Sequence, residues 1–326
     1  MTGSKTGKIK TAVIGVGHLG DYHAQKYFNH PGVELAGVVD ILPSRAEEIG
    51  YKYQTDAYQD YRDVLGRVDA VSVAVPTELH YRVGKDVLEA GVHLLMEKPI
   101  TYDTAHADTL IDMARCRGLV LQVGHVERFN PAVVMLESLT KKPVFIESQR
   151  LHLFTTRGTD VDVVLDLMIH DLDIILHLVG SPIKALNAVG MSVVTGKTDI
   201  GNVRLIFENG TVASLTASRV SGTTVRKIRV FQPNDYLSAD CLKRELTVAP
   251  LMPSGAAGDG HQSIRSSKTK FPGSDPLADQ IGAFVNSVRM GTKPVVTGED
   301  GRDALRAALE VMNLINSRCT TFESFC

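Results

Sequence analysis

The sequence has few cysteines, no tandem repeat, no apolar run of membrane length and almost no net charge. Each shortage removes a class of protein. A membrane-spanning helix needs about 20 consecutive apolar residues, and no such run occurs. The opening Met-Thr-Gly-Ser-Lys-Thr-Gly-Lys lacks the apolar core of a secretory signal, so a cytoplasmic location is expected. Cys116, Cys241, Cys319 and Cys326 show no zinc-binding spacing and read as reduced thiols, so no metal site is expected. A formal charge of -2 gives a nucleic acid or other polyanion nothing to bind. What remains is a globular composition, 44% apolar and 22% charged, over 326 residues, enough for two domains with separate cores.

The first third alternates strand and helix. A short β-rich run, Ile9 to Val16, enters Gly15-Val-Gly17-His18-Leu19-Gly20, and a helical pattern through Tyr22, Ala24, Tyr27 and Phe28 follows. A second run from Val33 ends at Asp40. Strand, glycine turn, helix, strand and acid come in the order a dinucleotide site requires. Gly15 permits the tight turn, Gly17 lets the backbone approach a pyrophosphate, and Gly20 lets the helix pack closely on the strand. The diphosphate would sit at the positive helix N-terminus, beside His18 and Leu19. Asp40, about twenty residues past the last glycine, can accept both adenosine-ribose hydroxyls and would repel a 2′-phosphate. NAD is therefore expected over NADP, with Arg45 the one residue that weakens the preference. Later strands end at Pro76-Thr77, with His80 just beyond, and at Glu97-Lys98-Pro99. These are the carboxyl ends where ligands collect in open parallel sheets.

Asp162 to Val179 contains neither glycine nor proline and reads as one helix. On α-helical geometry Asp162, Asp166, His170, Asp173 and His177 fall within about 80° of one another. Nearly every other position is Val, Leu, Ile or Met, with Asp171 the main exception. This predicts a largely buried helix whose titratable stripe faces a cavity.

Gly15-x-Gly17-x-x-Gly20, Pro76-Thr77-x-x-His80, Glu97-Lys98-Pro99 and Asp166-x-x-x-His170 together resemble the Gfo/Idh/MocA oxidoreductases over nearly the whole chain. The resemblance implies that Lys98, Asp166 and His170 are catalytic and that the cofactor lies against the strand ends carrying Pro76, Thr77, His80, Glu97 and Lys98. Of these, His80 is expected to line the nicotinamide pocket without reacting. The segment Gly124-His125-Val126-Glu127-Arg128-Phe129-Asn130-Pro131 is most similar to bacterial nucleotide-sugar 3-dehydrogenases. It implies oxidation at C3 of a UDP-N-acetylhexosamine, with an inositol or free sugar as the alternative. A non-catalytic NAD-binding regulator is a second alternative, which the joint presence of Lys98, Asp166 and His170 disfavours.

Arg128 and Asn130, at the expected domain junction, could meet a sugar or its phosphate. Equally, Arg128 could pair with an internal acid and Asn130 cap a helix. Arg157 is a further candidate for the substrate. From Val144 the period changes to two, and a series of short strands with an Asn209-Gly210 hairpin predicts a mostly antiparallel sheet. The expected architecture is thus α/β: a Rossmann domain over residues 1–124, and an α+β substrate-binding domain over residues 125–326 with an open sheet. Residues 250–273 are expected to be loop. The family resemblance implies a homodimer or homotetramer through the open face of that sheet.

Chemically, a neutral His170 can take a hydroxyl proton near pH 7, and Lys98 can steady charge developing on the reacting oxygen. Lys98 could instead be the proton acceptor if burial lowers its pKa. Asp166, one turn from His170, could orient it or bind substrate. Asp162, Asp173 and His177 are expected to support the pair.

Overall fold

The computed structural model describes residues 7–155, 161–233, 235–250 and 266–322. They fall into two compact units, Met1–Val126 with Asp275–Leu305, and Glu127–Ser274 with Arg306–Cys326.

The first unit is built on six parallel strands. These are β1 (Ile9–Ile14), β2 (Val33–Val39), β3 (Ala57–Tyr58), β4 (Ala70–Val73), β5 (His93–Glu97) and β6 (Leu121–Gly124), in the order β3-β2-β1-β4-β5-β6. The inner strands are apolar on both faces, as a sheet covered by helices on both sides demands: every residue of β4 is buried. The connections carry α1 (His18–Asn29), α2 (Pro43–Tyr53), α3 (Arg62–Leu65), α4 (His80–Glu89) and α5 (Thr104–Arg117). Local signals bound them: Pro43 opens α2, the Asp103 carboxylate accepts from the His106 N–H to cap α5, and Gly118 closes α5 in the left-handed region. Strand order reverses between β1 and β4, the switch point at which doubly wound sheets hold ligands.

The second unit holds α6 (Pro131–Leu139), α7 (Ile169–Val179) and eight strands. The strands are β7 (Phe145–Leu151), β8 (Ile183–Met191), β9 (Ile200–Phe207), β10 (Val212–Ser218), β11 (Val225–Gln232), β12 (Asp235–Asp240), β13 (Glu245–Pro250) and β14 (Ser267–Lys270). Their order is β14-β13-β12-β11-β7-β10-β9-β8, and every pairing is antiparallel except β7 with β10. One face carries Ile146, Leu215, Ile228, Val230 and Leu237, all buried. The other carries polar pairs such as Glu147 with Arg229 at 2.7 Å and Asn202 with Thr216 at 2.9 Å.

Three expectations need correction. The segment 275–305 was expected in the second domain but packs into the first. There α8 (Pro276–Met290) buries Ile281, Phe284, Val285 and Val288 in one cluster with Val13, Tyr27, Val33 and Leu95. The last helix, α9 (Gly298–Phe322), approaches β6 so closely that a Cβ on Gly301 would lie 2.6 Å from Val123. Secondly, the segment expected to be loop opens on Pro250, the last residue of β13, and contains β14, which pairs with β13; past Pro250 the described part of that segment is 266–273. Its alternating polar residues are all exposed, so no hydrophobic period announced it. Thirdly, Asp162–Val179 is not one α-helix: Val164–Met168 is a π turn leading into α7. No described helix is long and apolar enough to cross a membrane.

Candidate active site

The glycine turn divides its work as the sequence suggests. Gly15 has φ +84°, and a Cβ there would meet Val75 Cγ1 at 2.8 Å and the Ala74 carbonyl at 2.9 Å. Only glycine meets both demands. At Gly20 a Cβ would fall 1.9 Å from the Gly15 carbonyl oxygen, so the start of α1 lies against the turn itself. Gly17, the N-cap of α1, is the opposite case: nothing stands within 4 Å of its Cβ position, and Gly17, His18 and Leu19 are exposed. An open backbone cradle at the N-terminus of a three-turn helix suits a diphosphate.

Asp40 follows β2. Its Oδ2 accepts from the Val16 N–H at 3.1 Å and its Oδ1 from the Leu42 N–H at 3.0 Å. The glycine turn thus aims the carboxylate that would receive ribose hydroxyls. Arg45 is already engaged, donating from Nε to the Val16 carbonyl at 2.8 Å and from Nη1 to Glu48 at 2.9 Å, with Asp21 at 3.8 Å. The residues present therefore fit a dinucleotide.

The strand ends are more varied than the sequence implies. Pro76 is exposed and Thr77 half-buried, at the start of a single 3-10 turn, Thr77–Leu79. Lys98 is half-buried after β5, and the Lys98–Pro99 bond is cis. Glu97, expected to touch cofactor, is turned inward: its Oε1 lies 3.2 Å from His23 Nε2 on α1, and its Oε2 accepts from the Lys98 N–H at 3.4 Å. Burial works against its ionisation, but the hydrogen bond and charge of His23 and the charge of Lys98 hold the carboxyl below its ordinary value. His80, expected to line the nicotinamide pocket, is also buried. Its Nδ1 is 2.8 Å from the Pro99 carbonyl and its Nε2 2.9 Å from the Val75 carbonyl. Both ring nitrogens are committed to backbone.

In the second unit Asp166 lies in the π turn and His170 is the second residue of α7, both half-buried. A single π turn inside a helix is a frequent mark of functional sites. Their neighbours on the stripe are taken up. Asp162 caps the turn, its Oδ1 accepting from the Val164 N–H at 2.9 Å; Asp173 pairs with Arg128 at 3.5 Å; and His177 meets Glu137 at 2.7 Å.

Arg128 and Asn130, carried as substrate candidates, are 3% exposed and bonded internally. The Asn130 carboxamide accepts from the Ala132 N–H at 3.2 Å and donates to Glu127 at 3.0 Å and to the Cys241 carbonyl at 2.9 Å. Its cap and bracing roles consume the whole group, and the internal reading replaces the substrate one for both residues. Arg157 lies outside the described residues.

Sequence reading missed a buried charge cluster beside α7. Arg150 donates to Asp171 at 2.7 and 3.0 Å and to Glu127 at 3.0 Å. Burial opposes the Glu127 charge, but Arg150 and Asn130 hold its carboxyl below the ordinary value. One residue past the end of β7, His152 accepts from Arg226 at 2.9 Å, and burial with the Arg226 and Arg150 charges lowers its pKa. The signal was there: Arg150 shares the strand's buried parity with Ile146 and Ser148, and a charge on a buried face needs partners.

Two family models match the chain. The one described as "Oxidoreductase family, NAD-binding Rossmann fold" matches residues 9–125, and the Gfo/Idh/MocA C-terminal domain matches residues 133–232. Among curated proteins the chain is 40% identical over 308 residues to the UDP-N-acetylglucosamine 3-dehydrogenase of Acidithiobacillus ferrooxidans, covering 93% of this chain and 96% of that one. A solved structure of that enzyme superposes with a TM-score of 0.88 at 38% identity, covering 95% of this chain and 98% of the other. The scyllo-inositol 2-dehydrogenase (NAD(+)) of Bacillus subtilis is 25% identical over 329 residues, 94% of each chain.

Proposed function

Because the chain belongs to the Gfo/Idh/MocA oxidoreductase family, we propose that it oxidises a sugar ring hydroxyl to a ketone with NAD, at C3 of a UDP-N-acetylhexosamine. The observation that carries the substrate is the 40% identity, sustained over 93% of the chain, to an enzyme named for that reaction. The inositol dehydrogenase is much less similar, at 25%. The preference for NAD rests on Asp40, whose carboxylate would repel a 2′-phosphate, and on an Arg45 already flanked by Glu48 and Asp21.

When bound, the nicotinamide supplies the hydride acceptor. Lys98 hydrogen-bonds the reacting oxygen and steadies its negative charge. His170 or Lys98 takes the hydroxyl proton, and Asp166 orients the acceptor or binds substrate. Pro76 and Thr77 border the cofactor. Glu97 and His80 act from behind the surface, since their polar atoms face His23 and backbone carbonyls. Arg157 remains a candidate for the substrate's diphosphate. A homodimer or homotetramer through the open face of the second sheet is part of the same reading, supported by the half-buried Phe145, Phe231 and Tyr236 on that unit.

The test is NADH formation with UDP-N-acetylglucosamine, inositols and free hexoses offered in parallel. Turnover of UDP-N-acetylglucosamine, lost by about 10² to 10⁴-fold in His170→Ala and Lys98→Ala, is expected. Turnover of inositol alone would replace the substrate, and NAD binding without turnover of any sugar would favour a regulator.

A further inference from the structure

We infer that His80 is a positioning residue for Lys98, tying together the two turns that follow β4 and β5. The inference rests on the role given to Lys98 above.

β4 and β5 are paired from Ala70 opposite His93 to Val73 opposite Met96, and their ladder ends there. The functional turns begin past that last rung, where the two strands share no backbone pairing. His80 supplies the link. It opens α4 directly after the Thr77–Leu79 turn, which fixes its backbone close to the end of β4. Its ring, 1% exposed, reaches the Val75 carbonyl with one nitrogen and the Pro99 carbonyl with the other. Pro99 immediately follows Lys98. On the near side, the Glu97 side chain is fixed to His23 of α1. Lys98 is thus the one half-buried residue between two anchored neighbours, and its long side chain extends a position set by bonds made on either side. Misplacement of a reacting group by about 1 Å costs on the order of 10²-fold in rate, so the brace is worth more to turnover than to stability.

A neutral imidazole has a single N–H and donates to one carbonyl at a time, while the imidazolium donates to both at once. Burial draws His80 below its ordinary pKa of 6.5, while the carbonyls and the Glu97 charge act the other way. The two contacts can be separated by amide substitution. His80→Asn places an N–H near Nδ1, toward Pro99, and His80→Gln places one near Nε2, toward Val75.

The experiment compares His80→Ala, His80→Asn, His80→Gln and Lys98→Ala. It reads kcat and KM on UDP-N-acetylglucosamine, NAD affinity by calorimetry, and amide exchange over Lys98–Thr101 without cofactor. In His80→Ala, kcat should fall about 10²-fold, with NAD affinity changed by less than about threefold and exchange over Lys98–Thr101 at least about tenfold faster. His80→Asn should recover most of both losses and His80→Gln little. An inactive Lys98→Ala beside fully active His80 variants overturns this inference alone. So does a loss of kcat that merely follows loss of NAD binding, with no rescue by Asn. If Lys98→Ala keeps full activity, both the inference and the catalytic reading of Lys98 fail. If His80→Ala does not fold, the Asn and Gln variants decide between the same outcomes.

Discussion

His23 Nε2 stands 3.2 Å from Glu97 Oε1, with side chains only 2% and 12% exposed. The pair joins the dinucleotide helix to the end of β5. It also predicts how the acid stability of the protein depends on one carboxyl group.

Glu97 titrates below its ordinary value of 4.5 in the folded chain, despite burial, because of His23 and Lys98. A folded pKa below the unfolded one means its stabilisation is complete above about pH 4.5 and disappears as pH falls through the folded value. Glu97→Gln should therefore be destabilised near neutrality by about 3 kcal/mol. The gap from wild type should close as the pH drops below about 4. Urea unfolding at a series of pH values measures it; a gap of equal size at pH 3 and pH 7 would refute the coupling.

Arg150 is a buried cation between two carboxylates, so Arg150→Ala strands both charges. The expected cost is about 3–5 kcal/mol in chemical denaturation. Arg226, one-third exposed and 3.7 Å from Glu127, should cost no more than about 1 kcal/mol on the same substitution. Equal losses at the two sites would mean that burial does not set the energy.

Gly17 and Gly20 should separate folding from binding. Gly17→Ala enters open space, so stability should stay within about 0.5 kcal/mol while the NAD dissociation constant rises about tenfold or more. Gly20→Ala must displace the Gly15 carbonyl and should impair folding itself. Thermal melts paired with NAD titration distinguish the two, and unchanged NAD affinity in Gly17→Ala would remove the pyrophosphate from that turn.

Replacing Asp40 tests the cofactor preference. Asp40→Ala should raise NADP use relative to NAD by about tenfold or more, since like-charge repulsion is worth more than 1.4 kcal/mol. The ratio of kcat/KM for the two cofactors reads it directly. No change in that ratio would mean the preference is set elsewhere.

Local signals were legible in the sequence. Gly15, Gly17, Gly20 and Asp40 lie within one strand–turn–helix–strand segment, and each side chain or its absence states its backbone duty. The strands of the second unit could be read from their alternation. What escaped depends on distant partners. Nothing near Glu97 names His23, 74 positions earlier on another element, and nothing beside Arg128 chooses Asp173 over a ligand. The helical period of Asp162–Val179 could not show a π turn, because side-chain pattern does not encode which carbonyl an N–H selects. The apolar face of α8 fits either core, and only packing against Tyr27 and Leu95 assigns it.

The placement of α8 has a consequence for how the protein can be divided. The boundary between units is crossed three times along the chain, after Val126, Ser274 and Leu305. No single cut releases an intact cofactor half. A fragment stopping at residue 126 would carry all six parallel strands yet leave Val13, Tyr27 and Leu95 without the cover of Phe284 and Ile281. Ribosomal synthesis meets the same constraint: the nucleotide-binding core is left unfinished until the segment carrying Ile281 and Phe284 has been made.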